Sequence, residues 1–380
     1  MQNSLNRTSV VTAAAATGTA GVIVFALLPI FIGQIADRFH LSEADSGVTA
    51  AAYFVIYALV SLTTPLWIRR LSWRVVALIG YGVMVIGLIA LLLSGDHTMV
   101  LVSLAITGAG AATLLPISLT LVSDMLHTER VYAITISVQQ LIPALLLFGI
   151  SAGLLGTYAL GNTIYAAIAI TLACVLLSYD LPAGDKSEQA AAQGTSSPPL
   201  ALLSLLGLAL NFAGFAAMWA FFEIIAGQAG LTDEFSSRWI AVGLLMTAVG
   251  PLVAAWLSDR IGRLIPLTVP TAIAAAATVF LSGGVTESTY ALALVIFPLG
   301  YYIALSYVLS IIADADPDGT YSSLMSFALA FGAIAGPAIY GYAREVGSSE
   351  VAVITFFLFS GAAILAWIQR RIFAATTEVI

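Results

Sequence analysis

Twelve long apolar segments follow one another along the chain, and they constrain its fold more than any other feature. Each exceeds the roughly 18 residues that a membrane-spanning helix needs, and none alternates like a lipid-facing barrel strand. Only 9% of the residues are charged and 60% are hydrophobic, unlike a water-soluble globular chain. The sequence therefore predicts an all-α membrane protein with twelve transmembrane helices. They are expected near residues 9–34, 47–68, 75–94, 98–123, 131–155, 160–180, 200–228, 236–257, 264–284, 287–313, 319–344 and 350–371.

The segments form two sets of six, separated by the polar stretch LPAGDKSEQAAAQGTSSPPL. Such a stretch cannot span a bilayer and is typical of a flexible connector, and Pro198 and Pro199 suit the start of the next helix. We therefore expect a six-helix bundle over residues 1–180, a cytoplasmic linker over 181–199 and a second six-helix bundle over 200–380.

Basic residues indicate how the chain is oriented. With the N-terminus inside, ten Lys and Arg residues flank the inner ends of the segments and three flank the outer ends. Because cytoplasmic loops are rich in positive charge, both termini are predicted to be cytoplasmic. The first apolar stretch, residues 10–32, is too long for the core of a secretory signal and is expected to be retained. The inner set is Arg7, Arg69, Arg70, Arg74, Arg130, Lys186, Arg260, Arg263, Arg370 and Arg371, and the outer set is Arg38, Arg238 and Arg344.

The two halves resemble each other when the sequence is shifted by 190 residues. The shift places LSEAD, residues 41–45, on LTDEF, residues 231–235. It also places GAATLLPISLTLVSD on GYYIALSYVLSIIAD, so that Asp124 matches Asp314 on the fourth and tenth segments. Together with the six-plus-six count, these matches predict two pseudo-symmetric bundles, an arrangement by which transporters form a central site that opens to either side.

Several classes of function are disfavoured by what the sequence lacks. His40, His97 and His127 are single residues near different helix ends, so no three-ligand metal site is expected. GAGAAT lacks the third glycine and the preceding strand of a dinucleotide loop, and no Walker sequence is present. Cys174 stands alone, and no basic tract suggests nucleic acid. We predict that the protein is not an enzyme and uses no metal or cofactor.

Glu223 lies among large apolar residues in MWAFFEIIAG, residues 218–227. It is expected about five residues, or roughly 7.5 Å, inside the outer end of the seventh helix. Because burial disfavours the charged form of a carboxylate, Glu223 is the leading candidate for proton coupling. The alternative is a boundary residue whose carboxylate reaches water at the lipid headgroups.

Other polar and aromatic side chains within the segments are candidates for contact with a solute. Amides at membrane depth are costly unless paired, so they either bind a solute or hold helices together. Aromatic rings suit apolar or cationic solutes, although each one alone is explained as well by packing. No Lys or Arg lies near the middle of a segment, which favours neutral or cationic solutes, while helix-end amides leave an anion as an alternative. The candidates are Tyr53, Tyr57, Gln139, Gln140, Asn211, Trp219, Tyr301, Tyr302 and Tyr307.

The loop AWLSDRIGRL, between the eighth and ninth segments, resembles the motif G-x-x-x-D-R-x-G-R-[RK] of the major facilitator superfamily. The matching residues are Asp259, Arg260, Gly262 and Arg263. Ala255 and Leu264 replace the first glycine and the last basic residue, and Arg69 stands in the second-to-third loop where the family has an acid. GAIAGPAIYG, on the eleventh segment, is similar to the antiporter motif that the family normally carries on its fifth helix.

The resemblance implies a bacterial-type transporter of the inner (cytoplasmic) membrane that works by alternating access as a monomer. It also implies that this loop acts as a gate with Asp124 and Asp314, because contacts made in one state and broken in the other bias the equilibrium between them. The alternative is a tight basic turn whose positive charges only reflect the orientation of the chain in the membrane.

We expect proton-coupled secondary active transport of a small organic solute, with efflux of a neutral or cationic amphipathic compound as the first hypothesis. Uptake of a small metabolite by symport is the alternative within transport. A non-transporting membrane receptor or lipid-handling protein is the alternative from another class. The expected partners are the solute, protons and membrane lipid.

Overall fold

The computed structural model describes residues 7–151, 160–182, 198–257, 260–282, 284–316, 319–345 and 350–377. Within these residues the chain is all-α, as predicted, with thirteen α-helices and one short 3-10 helix, Ser322–Leu324. A one-turn helix, Thr64–Trp67, follows the second long helix. The long helices are α1 Thr8–Phe39, α2 Glu43–Leu62, α3 Trp73–Leu92, α4 His97–Ser123, α5 Thr128–Ser151, α6 Leu160–Leu177, α7 Pro198–Gln228, α8 Asp233–Leu257, α9 Leu264–Ser282, α10 Glu287–Ala315, α11 Met325–Glu345 and α12 Glu350–Thr377.

Nine helices in the described part of the chain are long and apolar enough to cross a membrane. They include α1 to α4, α6 to α8, α10 and α11. The apolar run of α9, Leu264–Val279, is shorter. α5 begins with Glu129 and Arg130 and carries Gln139 and Gln140 further along, which lowers its hydropathy. The count of twelve spans therefore stays a prediction.

The chain divides into two compact units. The first unit consists of Met1–Leu126 and Val138–Ala192, and the second of His127–Ser137 and Gln193–Ile380. The beginning of α5 thus belongs to the second unit, although it lies in the first half of the sequence. Of the linker predicted over 181–199, residues 183–197 lie outside the described residues. α7 begins at Pro198, as the two prolines predicted.

Five helix pairs pack in the same way in both units, whereas the extensive contact of α7 with α11 has no counterpart of similar extent between α1 and α5. In the first unit α4 packs against α1, α2 and α3, and α6 packs against α1 and α3. In the second unit α10 packs against α7, α8 and α9, and α12 packs against α7 and α9. Each helix of the second set corresponds to the one six places earlier, so the packing supports the internal repeat.

Matched glycines explain how the central helix of each unit approaches its neighbour. A Cβ atom on Gly110 of α4 would lie 2.5 Å from the backbone nitrogen of Met84 on α3. One on Gly300 of α10 would lie 2.7 Å from the backbone oxygen of Pro270 on α9. Both positions therefore require glycine for close helix packing, and they are 190 residues apart in the sequence.

The starts of α2 and α8 are also equivalent. The Ser42 hydroxyl accepts a hydrogen bond from the Asp45 backbone nitrogen at 3.1 Å. The Thr232 hydroxyl accepts one from the Phe235 backbone nitrogen at 3.3 Å. A hydroxyl that accepts from the third residue onward satisfies one of the free amides at a helix start. The match between LSEAD and LTDEF thus reflects the same cap in each half.

Candidate functional site

Six aromatic residues of α7 and α10 form a continuous set of rings in the second unit, which we name the Phe215 cluster. Its members are Phe212, Phe215, Trp219, Phe297, Tyr301 and Tyr302. The Phe215 ring stacks on Tyr301 with a centroid distance of 4.4 Å, and on Phe297 at 5.6 Å and Trp219 at 5.7 Å. Spacings of three and four residues place Phe212, Phe215 and Trp219 on one face of α7, and Phe297 and Tyr301 on one face of α10, with Tyr302 next to Tyr301. The structure thus brings together three predicted solute contacts, Trp219, Tyr301 and Tyr302.

Tyr301 differs from an ordinary core aromatic in one respect. The residue is 1% exposed, and its hydroxyl has no hydrogen-bond partner among the described residues. A buried hydroxyl normally has a partner, so this group is a candidate to hydrogen-bond with a solute. Trp219, at the other side of Phe215, is half-buried.

Glu223 follows Trp219 by one helical turn on α7, and its side chain is exposed. The residue before it, Phe222, is buried, and its backbone oxygen accepts a hydrogen bond from the Tyr290 hydroxyl at 3.3 Å. The burial on which the sequence argument for Glu223 relied is therefore not found in this structure. Its proton-coupling role stays a prediction.

Tyr307 lies in a separate place from the Phe215 cluster. It packs against Ala133 of α5 and Ala254 of α8, and its hydroxyl donates to the Ala254 backbone oxygen at 3.1 Å. The side chain is fully buried. In this arrangement Tyr307 joins three helices of the second unit.

Tyr53 and Tyr57 of α2 are both buried in the first unit, with ring centroids 5.8 Å apart. The Tyr53 hydroxyl has no hydrogen-bond partner in the described part of the chain. The backbone of Tyr53 lies against Gly108 of α4, where an added Cβ would approach the Tyr53 oxygen to 2.7 Å. These two tyrosines are thus held at the α2–α4 contact.

The predicted amides make contacts between helices. Gln139 donates from Nε2 to the Ser118 hydroxyl at 3.4 Å, and Ser118 donates to the Ala14 backbone oxygen at 2.7 Å. Asn211 donates from Nδ2 to the Leu358 backbone oxygen on α12 at 3.2 Å. Gln140 is half-buried. Gln139 and Asn211 therefore make the helix-joining contacts that the sequence analysis held as the alternative to solute binding.

The first unit carries a closed ion pair at the end of α4. Arg69 donates from both terminal nitrogens to Asp124, with nitrogen–oxygen distances of 2.6 and 2.7 Å. Both side chains are 7% exposed. A bidentate guanidinium–carboxylate pair fixes geometry as well as charge. In the first half, the predicted gate residue Asp124 is therefore bound by Arg69, which stands where the family motif has an acid.

The second unit carries a larger set of polar side chains, which we name the Arg263 network. Its members are Thr128, Glu129, Arg263, Ser310 and Asp314. Arg263 binds Asp314 through one terminal nitrogen and Glu129 through the other, the latter at 3.0 Å. Ser310 donates to the same Glu129 oxygen at 3.2 Å. The Thr128 and Ser310 hydroxyl oxygens are 2.7 Å apart and share a hydrogen bond.

Arg263 keeps its charge in this network. Burial alone lowers the pKa of the guanidinium, but attraction to Asp314 and Glu129 outweighs burial and raises that pKa above its ordinary value. Glu129 was missed by the sequence analysis. It lies in the first turn of α5 beside Arg130. No sequence spacing relates that position to the loop between α8 and α9, more than a hundred residues later.

The remaining gate candidates lie in the turn between α8 and α9. The Arg260 guanidinium carbon lies 4.1 Å from the centre of the Trp256 ring, a cation–π contact. Gly262 has a φ of 63°, which lies in the left-handed region that favours glycine. Asp259 lies outside the described residues. Among the described residues, no three His, Cys, Asp or Glu side chains form a group that could hold a metal ion.

Comparison with known proteins assigns the family. The model of the Major Facilitator Superfamily matches residues 10–337. The chain belongs to the major facilitator superfamily. It is therefore a multi-pass membrane transporter and not an enzyme, which confirms those predictions and disfavours the receptor alternative. No curated protein sequence matches this chain.

Solved structures of the superfamily share the fold of this chain. FucP, in the outward conformation, has 17% sequence identity and a TM-score of 0.74, with 97% of this chain and 99% of that chain covered. A second structure of FucP, the fucose:proton symporter of E. coli, has 16% identity and a TM-score of 0.72, covering 96% and 99%. The proton:xylose symporter XylE, bound to 6-bromo-6-deoxy-D-glucose, has 11% identity and a TM-score of 0.73, covering 97% and 96%.

Proposed function

We propose that this superfamily transporter is a proton-coupled secondary active transporter that exports a small, neutral or cationic amphipathic organic compound by alternating access. We further propose that it lies in the bacterial inner (cytoplasmic) membrane with both termini in the cytoplasm, that it has twelve spanning helices in two six-helix bundles, and that it works as a monomer.

The Phe215 cluster carries this proposal. Trp219 is the half-buried member of these stacked rings, and the Tyr301 hydroxyl among them has no hydrogen-bond partner in the described part of the chain. Such rings favour ring-bearing or cationic solutes through stacking and cation–π attraction. Because no Lys or Arg lies near the middle of a helix, a fixed anionic group has no side-chain counter-ion there. Trp219, Tyr301 and Tyr302 are the proposed solute contacts of this unit, with Tyr53 and Tyr57 in the first unit.

Glu223 is the proposed proton carrier. It lies one turn from Trp219, so a carboxylate and an aromatic face occupy neighbouring positions of α7. A proton and an organic cation neutralise the same carboxylate and therefore compete for it. This competition is the physical basis of exchange, because the proton that enters displaces the cation that leaves.

The ion pairs at the ends of α4 and α10 are the proposed gates. Arg69 holds Asp124 and Arg263 holds Asp314, each from the loop between the second and third or the eighth and ninth helices. We propose that Asp259, Arg260 and Gly262 also take part in gating. A change of a few kcal/mol in these contacts is enough to change which conformation dominates.

Uptake by proton symport is the second candidate, and the comparisons favour it. FucP is a fucose:proton symporter and XylE a proton:xylose symporter. Aromatic rings also pack against the apolar faces of sugars, so the Phe215 cluster fits this candidate as well. In that case Glu223 takes up a proton together with the solute.

Reconstitution into proteoliposomes separates the candidates. A fluorescent organic cation and radiolabelled fucose or xylose are followed after a pH gradient of either sign is imposed. Export predicts that the cation accumulates on the acidic side, whereas symport predicts that the sugar accumulates on the alkaline side. Glu223→Gln is expected to abolish the dependence on the gradient in both cases. Retained dependence in that variant removes Glu223 from the mechanism.

A further inference from the structure

The two gate ion pairs differ in their charge balance. In the first unit one carboxylate, Asp124, faces one guanidinium, Arg69. In the second unit two carboxylates, Glu129 and Asp314, share the single guanidinium of Arg263. The two carboxylates and one guanidinium of the second set sum to one negative charge.

The excess charge is held where water reaches it only in part. The Glu129 side chain is 12% exposed, that of Arg263 22% and that of Asp314 34%. Arg263 from the α8–α9 turn and Asp314 from α10 face Glu129, and Arg130 follows it on α5. Thr128 and Ser310 supply neutral hydroxyls. Both carboxylates bind the same guanidinium, so they lie close enough to repel each other. The guanidinium between them is therefore what keeps them together.

Polar groups continue from the Arg263 network along α10. Tyr302, Ser306, Ser310 and Asp314 follow at every fourth residue, which places them along one face of the helix. Ser306 is fully buried, and its hydroxyl has no hydrogen-bond partner among the described residues. The Ser306 hydroxyl is therefore an unused polar group one turn from Ser310.

We infer that Glu129 and Asp314 form a proton-binding site at the inner end of α10, in which a proton takes the place of Arg263 when the gate opens. This inference rests on the proposed function, since it supplies the proton step of the gate. When Arg263 leaves, two neighbouring carboxylates without a cation repel each other, and one shared proton removes that repulsion. The proton forms an O–H bond on one carboxylate and a hydrogen bond to the other, while the guanidinium moves to water or to lipid phosphate.

The exchange of Arg263 for a proton makes the opening of the gate depend on pH in one direction. The closed network binds Arg263 and no proton, whereas the open network binds one proton. Opening therefore becomes more favourable as the pH falls, by up to about tenfold per pH unit for a single proton.

Cysteine accessibility tests the exchange without solute or gradient. Ala133 is fully buried against Ala254 and Tyr307, one turn along α5 from Glu129. Ala133→Cys, in a full-length Cys174→Ala background, is alkylated by a membrane-impermeant maleimide between about pH 5 and about pH 8. Rates are divided by those of the same protein in denaturant, which removes the pH dependence of the thiol itself. Labelling is expected to rise as the pH falls.

Glu129→Gln and Asp314→Asn each remove one carboxylate and are expected to abolish this pH dependence. Glu287→Gln, at the exposed other end of α10, is the matched control and is expected to keep it. The inference is overturned if labelling of either folded carboxylate variant keeps its full pH dependence. It is also overturned if labelling of Ala133→Cys without these substitutions does not depend on pH. Because this assay involves no transport, its outcome is independent of the proteoliposome result for Glu223. If one variant does not fold, the other still decides.

Discussion

Arg69 and Asp124 form a bidentate ion pair in which both side chains are 7% exposed. The first half departs from the family motif, because Arg69 stands where an acid is expected. The structure shows that this arginine reaches the end of α4 directly. The acid at the end of α4 is thus bound from the loop between the second and third helices, as Asp314 is bound from the loop between the eighth and ninth.

Arg69→Ala is the first prediction, because it leaves Asp124 buried without this guanidinium. We expect a loss of about 3–5 kcal/mol in the free energy of unfolding, as for other broken buried pairs. Arg69→Lys retains charge but not the bidentate geometry and is expected to lose less. Chemical denaturation in detergent measures the change. Arg70→Ala, at the exposed neighbouring position, is the control and is expected to change stability by no more than about 0.5 kcal/mol. An equal loss in both alanine variants would contradict the assignment.

Gly110→Ala and Gly300→Ala form the second prediction. An added Cβ at either position meets the backbone of the adjacent helix, which cannot move aside as a flexible side chain can. Overpacking of this kind costs roughly 1–3 kcal/mol, and we expect the two variants to lose similar amounts because the sites are equivalent. Gly82→Ala, where an added Cβ meets nothing within 4 Å, is the control and is expected to be neutral or stabilising. Thermal unfolding midpoints compare the three, and no loss in both test variants would argue against the matched helix crossings.

The parts of the fold that follow from local pattern could be predicted from the sequence. Asp124 and Asp314 end matched helices, and Ser42 and Thr232 cap matched ones. Capping needs only a hydroxyl and the amides that follow it, so the signal lies within a few adjacent residues. A shift of 190 residues therefore found true structural equivalents.

Orientation around a helix axis could not be predicted. α7 is apolar on almost every side, so its sequence does not mark the face that is buried. The sequence therefore did not predict that Asn211 contacts α12 or that Glu223 is exposed. Glu129 was missed because it meets Arg263 only through tertiary packing.

Tyr301→Phe is the third prediction. The hydroxyl is buried without a partner among the described residues, so its removal is expected to leave stability unchanged or to raise it slightly. If the hydroxyl forms a hydrogen bond with a solute, the binding free energy of that solute should weaken by about 0.5–1.5 kcal/mol. Quenching of the intrinsic tryptophan fluorescence by the transported compound measures affinity, and thermal unfolding measures stability. Tyr307→Phe is the matched control, because its hydroxyl already donates to Ala254 and its loss is expected to lower stability without changing affinity. Unchanged affinity in Tyr301→Phe would exclude its hydroxyl from binding.

Gly262→Ala is the fourth prediction. At a φ of 63° an alanine is strained by roughly 1–2 kcal/mol, although an added Cβ meets no atom within 4 Å. The cost is therefore one of backbone conformation, and Gly262→Asn should be milder because asparagine tolerates the left-handed region. If the α8–α9 turn holds Arg263 in place, the strained turn should weaken the Arg263 network and raise labelling of Ala133→Cys at alkaline pH. Gly227→Ala, which also meets open space but carries no positive φ, is the control and should leave labelling unchanged. Equal labelling in the alanine and asparagine variants and in the control would show that the turn conformation does not act on the gate.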